Sequence, residues 1–184
     1  MKLFVLEPPA SRTLEAKIRR IAERLPELEG EPIRIRFEPD LKRYGVIHAG
    51  ALVRQRRILF ERALARNANE LARIFVHELF HFAWVRLGNP QRWSYEDLAA
   101  EEIRQHVEGE LGWSAQWRKE ALSAADRTGR SRRWREYVCE SYCDSAAWMF
   151  SGVPQHPEFT LARGPREGRR CWFERSSAAG TISV

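Results

Sequence analysis

Residues 67–90 read NANELARIFVHELFHFAWVRLGNP, and the organisation of the whole chain follows from them. Leu71, Ile74, Phe75, Val76, Leu79, Phe80, Phe82, Trp84 and Leu87 surround a helical projection instead of lining one stripe, which predicts a helix buried on all sides. Asn67 or Asn69 offers a side-chain cap for its start, and Gly88-Asn89-Pro90 stops it near Leu87. His77, Glu78 and His81 interrupt the apolar run. Residues four apart stack one turn above the other on the same helix face, so the imidazoles of His77 and His81 can grip one ion. An idle carboxylate in such surroundings is costly, which gives Glu78 a role: accepting a proton from a water held by that ion. A single zinc ion, at ease with nitrogen and oxygen donors, suits the pair.

A hydrolytic zinc site needs a third protein ligand and one open position. A second, mostly apolar helix is expected from about Trp134 to Phe150, and on it Glu140 and Asp144 stand one turn apart among Tyr137, Val138, Ala146 and Ala147. Buried carboxylates require partners. The ion satisfies Glu140, and Asp144 can accept the free ring N–H of a ligating histidine and so fix its tautomer. Glu101 and Glu102 are the fallback ligands.

HExxH followed downstream by ExxxD resembles the gluzincin metallopeptidases, and in its shortness the chain is similar to the single-domain minigluzincins. The resemblance covers His77 to His81, Glu140 to Asp144 and the order of strands before the first of these helices. It implies a zinc-dependent peptidase with Glu140 as third ligand, Asp144 orienting the first histidine and Glu78 as general base. It further implies that an edge strand holds an extended peptide or protein substrate by backbone pairing. Larger members add a C-terminal domain that supplies groups stabilising the oxyanion, and this chain is too short for one. The oxyanion partner is therefore open, with Tyr137 and His156 as candidates. His48 and His106 read as ordinary surface or packing residues.

The remaining elements are expected to pack around the two helices. Leu14, Ile18, Ile21 and Leu25 mark one face of a helix over 11–25, and Ile33-Arg34-Ile35-Arg36-Phe37 alternates as a half-buried strand does. Extended segments at 46–53 and 57–60, joined by a basic turn, suggest a hairpin. A helix opening at Ser94, a short helix over 114–124, a connection over 126–133 and a hairpin from 159–163 and 170–173 complete the reading. The fold class is α+β: a small, mostly antiparallel sheet packed on a central HExxH helix and a second buried, ligand-bearing helix. Residues 1–175 form a single domain and 176–184 a flexible tail, long enough with Cys171 to reach back and cap the zinc in a latent form.

Composition sets the outer bounds. With 184 residues, 43% of them hydrophobic, the chain can bury a core without disulfides. Three cysteines without a repeated CxxC spacing suit a reducing compartment, taken as the cytoplasm, and Cys139 and Cys143 read as packing residues. No export signal or membrane-spanning stretch is visible. The net charge of +6, gathered at 54–57, 127–135 and 163–170, permits contact with nucleic acid. Without an accompanying nucleic-acid motif, those clusters read first as a solvated arginine-rich surface. Two rival readings stay open: a DNA-associated or regulatory metalloprotein, and a catalytically silent zinc-binding module of the same fold. Steep salt dependence of DNA binding would mark the former. Oligomeric state is not legible.

Overall fold

A computed structural model describes residues 3–8, 11–42, 45, 48–176 and 180–184. The chain begins with β1 (Phe4–Leu6), crosses through α1 (Arg12–Ala22) and a two-residue strand β2 (Leu28–Glu29), and returns as β3 (Ile33–Glu38). The crossover makes β3 parallel to β1, with Phe4 opposite Ile33. Next come β4 (Ala49–Leu52) and β5 (Arg57–Glu61), and the four strands order as β1-β3-β5-β4.

The sheet is mixed, which corrects the expected mostly antiparallel one: β1, β3 and β5 run parallel, and only β4 runs against its neighbour. Alternation along a strand shows which face is buried and says nothing of direction, which the connections decide. A helix between two strands permits a parallel return, whereas a tight link enforces an antiparallel one. The second case holds for β4 and β5, joined through a 3₁₀ turn at Val53–Gln55 and a left-handed Arg56. Residues 46 and 47 of the expected hairpin lie outside the described residues.

Ile33, Ile35 and Phe37 of β3 and Ile58 and Phe60 of β5 are buried beneath α2 (Ala68–Arg86). Phe75 of α2 stacks on Phe60 at 6.1 Å and meets Phe4 edge-on at 5.3 Å, joining sheet to helix. Asn67 caps α2 by accepting the backbone N–H groups of Asn69 and Glu70 at 3.1 and 3.2 Å. The cost of leaving those first N–H groups unpaired makes this cap the natural start.

Gly88-Asn89-Pro90 ends α2 as expected but also opens α3 (Asn89–Arg104), five residues ahead of the expected Ser94, because proline is preorganised for a first helical turn. There follow α4 (Trp113–Glu120), a short α5 (Ala124–Thr128) where a connection was expected, and α6 (Arg132–Phe150). The long helices α2 and α6 pack along each other more extensively than any other pair of elements.

The expected C-terminal hairpin is instead a helix, α7 (Arg163–Ser176). Its Trp172 and Phe173 join Phe80, Tyr95 and Tyr142 in an aromatic cluster, with Phe173 stacked on Tyr142 at 4.9 Å. The expected flexible tail is likewise anchored at its end. Ile182–Ser183 forms β6, parallel to β2, and Val184 is fully buried. Gly30, at φ +141°, leaves room there for the Val184 carbonyl, which any Cβ at this position would overlap.

Arg169 of α7 is 1% exposed and sits between two buried carboxylates. Its Nη2 donates to Glu102 at 2.6 Å and its Nη1 to Glu110 at 2.8 Å, while Tyr137 donates its hydroxyl to Glu110 at 2.8 Å. This network ties α3 and α7 to the back of α6. Among the described residues no helix is long and apolar enough to cross a membrane.

Candidate metal centre

Four side chains that sequence spacing singled out come together between α2 and α6. His77 and His81 project from one face of α2, their Nε2 atoms 3.3 Å apart. Glu140 of α6 brings Oε2 to 3.2 Å from the Nε2 of His77. One donor atom from each of His77, His81 and Glu140 lies within 4.8 Å of the others. Asp144, one turn beyond Glu140 and 1% exposed, sets its Oδ1 2.7 Å from the Nδ1 of His77.

His77 is therefore held between two carboxylates, one at each ring nitrogen. Burial lowers its pKa, but Asp144, Glu140 and Glu78 outweigh that effect and raise it well above the ordinary imidazole value. Burial likewise pushes Glu140 up, yet its hydrogen bond to His77 and the nearby charges of His77, His81 and Arg118 bring it down to about 2. An ionised carboxylate and two imidazoles converging on one point form a donor set that calls for positive charge at its centre. In the protein alone the flanking carboxylates favour a proton on His77; a metal ion could take the same place.

The surroundings fix these groups. Asp144 Oδ2 accepts the backbone N–H of Ala115 at 3.1 Å, so both carboxylate oxygens are committed, one to a ring and one to the start of α4. Gly112, just before α4, lies so close to Asp144 that an added Cβ would overlap the carboxylate. Its backbone is extended, at φ −174°, so the demand for glycine there is one of space alone. Gly112→Ala is expected to push Asp144 off His77 and weaken metal binding about 10–100-fold, the usual consequence of losing such an outer hydrogen bond. Competition with a chromophoric chelator measures it; unchanged affinity would show that Asp144 does not orient the ligand. Arg118 of α4 reaches Glu140 Oε1 at 3.3 Å and leaves Oε2 toward the histidines.

A cleft of about 640 Å³ opens onto His77 and Glu78. One wall includes Ala49 of β4 and His48 before it; the other includes Trp113 and Trp117 of α4, whose rings lie nearly parallel with centroids 6.3 Å apart. At one end Arg73 forks onto Glu158 at 2.8 and 3.0 Å, and Glu158 also accepts the N–H of Trp113 at 2.9 Å. No local motif marks Arg73, Glu158 or His48. The two tryptophans carried one readable signal, a spacing of four across the start of the helix expected over 114–124.

Of the two candidates for stabilising an oxyanion, Tyr137 is fully buried with its hydroxyl committed to Glu110, outside the cleft. His156 pairs through Nε2 with Glu70 and accepts the Glu158 N–H at 3.3 Å, so it supports the Arg73 end of the cleft from behind. Glu101 pairs with Arg104 and Glu102 with Arg169, and among the described residues neither fallback ligand joins a grouping that could hold a metal ion.

Neither a family model, nor a curated protein, nor a solved structure matches this chain. The geometry of the centre therefore carries the functional argument. Among the described residues two groupings could hold a metal ion: His77 with His81 and Glu140, and His81 with Cys139 and Cys143.

Proposed function

We propose that the protein is a zinc-dependent peptidase of the gluzincin type. The observation that carries this reading is the convergence of His77, His81 and Glu140, with His77 also lining a cleft beside Glu78. Two imidazoles and one carboxylate leave a four-coordinate ion one open position, as a catalytic site requires and a structural one does not. The charge pattern favours zinc or a similar divalent ion over calcium or magnesium, which prefer all-oxygen sites.

Zinc bound there would lower the pKa of a coordinated water to roughly 7 and polarise a carbonyl oxygen. The chain's own groups do the rest. Glu78 accepts the proton of the attacking water and returns it to the leaving amine nitrogen as the peptide bond breaks. Asp144 keeps the proton of His77 on Nδ1, so that Nε2 faces the ion, and shares the positive charge that develops on the ring. β4 lies at the sheet edge, pairing with β5 alone among the described strands of its sheet, so its outer backbone groups are available to an extended peptide. Leu64 and Ile74 line the cleft with the paired indoles and favour apolar side chains over charged ones.

Elemental analysis of the purified protein beside Glu140→Ala is the direct test. Near-stoichiometric zinc in the parent and its loss from the variant are expected. A parent that takes up no zinc when it is offered would end the proposal.

A further inference from the structure

The second grouping shares a residue with the first. His81 turns Nε2 toward His77 and Nδ1 toward Cys139, whose Sγ lies 3.5 Å away. Cys143 follows one turn later on α6, fully buried, and one donor atom from each of His81, Cys139 and Cys143 lies within 4.8 Å of the others. Two thiols and an imidazole at this spacing match the edges of a coordination polyhedron with metal–sulfur bonds near 2.3 Å and metal–nitrogen bonds near 2.0 Å. Such soft donors select a different class of ion from the oxygen-containing centre beside them. Packing alone accounts for Cys143 but not for Cys139, which is only half-buried and sits against a ring nitrogen.

We propose that Cys139, Cys143 and the Nδ1 side of His81 form a second cation site, for a thiophilic ion, that competes with the His77–His81–Glu140 centre for one imidazole. The competition follows from the ring's own chemistry. A neutral imidazole has one nitrogen lone pair to give, and its other nitrogen carries a proton. When His81 binds through Nε2, its Nδ1–H can donate to the Cys139 sulfur, and that contact orients the ring. When a thiophilic ion takes the two sulfurs and Nδ1, both thiol protons are released, the ring proton moves to Nε2, and that nitrogen can no longer serve the first centre. The thiol pair would thus let soft metals, or an excess of zinc, switch the neighbouring centre off. This inference needs only the side chains just named and stands whether or not peptides are the substrate.

Cadmium is the probe, because thiolate coordination gives it an ultraviolet charge-transfer absorption that nitrogen and oxygen ligands do not. In a Cys171→Ser background, which removes the exposed cysteine, cadmium titration should produce that absorption and saturate it at one equivalent per chain. Adding Cys139→Ser or Cys143→Ala should abolish the band, and adding Glu140→Ala should preserve it. From zinc-loaded protein, zinc should leave at a cadmium concentration at least about tenfold lower in the Cys171→Ser protein than in Cys171→Ser/Cys139→Ser. Absence of the band from the Cys171→Ser protein overturns the proposal without reference to any further variant. So does a band that survives loss of both Cys139 and Cys143. If no band forms and Cys139→Ser merely weakens zinc binding, Cys139 orients His81 and the second site does not exist.

Discussion

Glu78→Gln is expected to leave zinc binding intact and to lower the turnover of a peptide substrate about 10²–10⁴-fold, the range associated with losing a general acid–base group. The side chain has nearly the same shape, and Glu78 is not among the three converging ligands, so the ion should remain at parent stoichiometry. The amide accepts no proton at neutral pH. A barrier increase of roughly 3–5 kcal/mol should therefore appear in kcat, with KM little changed. A zinc-replete variant with full activity would remove Glu78 from the mechanism. A variant that had lost its zinc would instead give Glu78 a part in holding the centre together.

Arg169→Ala is expected to be the most damaging single substitution outside the metal centre. It would leave Glu102 and Glu110, at 5% and 0% exposure, without the guanidinium that hydrogen-bonds to both. Removing one partner from a buried ionic group costs about 3–5 kcal/mol, which for a chain of this size is a fall in melting midpoint on the order of 10 °C. Arg169→Lys keeps the charge but cannot make the forked contacts and should recover only part of the loss. Burial pushes Glu110 up, but Arg169, Lys119 and Tyr137 together set it below the ordinary carboxylate value. Its stabilising contribution is therefore complete above about pH 5 and is lost as the pH falls through the depressed value. Acid unfolding followed by circular dichroism should show this loss in the parent and a flatter profile in Arg169→Ala. Equal stability of parent and variant would mean that the network adds nothing net.

What could be read in the sequence was whatever a local rule determines. The HExxH spacing on an apolar helix announced α2, and two carboxylates one turn apart on a small-residue helix announced the partner face of α6; the structure brings both sets together. The parallel order of β1, β3 and β5 was hidden because strand direction is a property of connections. β1 itself is three residues long, too short for a period to show. α7 is masked in the sequence because Gly164, Pro165 and Gly168 look like breakers. Pro165 falls in the first turn, where no N–H is needed, and Arg169, Trp172 and Phe173 at helical spacing hold the rest against α3 and α6. Tertiary burial there overrode weak local propensity. Arg73 and Glu158 lay beyond reach for a similar reason: their meeting joins residues 85 apart in sequence.

The hydrogen bond from Ala115 to Asp144 ties α4 to two tasks at once. α4 presents its indoles to whatever fills the cleft, and its first turn grips the carboxylate that aims His77. A guest that shifted the helix by a fraction of an ångström would also move the carboxylate that orients His77. Cleft filling and the electronic character of the centre are then no longer independent variables. Spectra of a cobalt-substituted centre would register the arrival of a guest mechanically, as a gauge needle does.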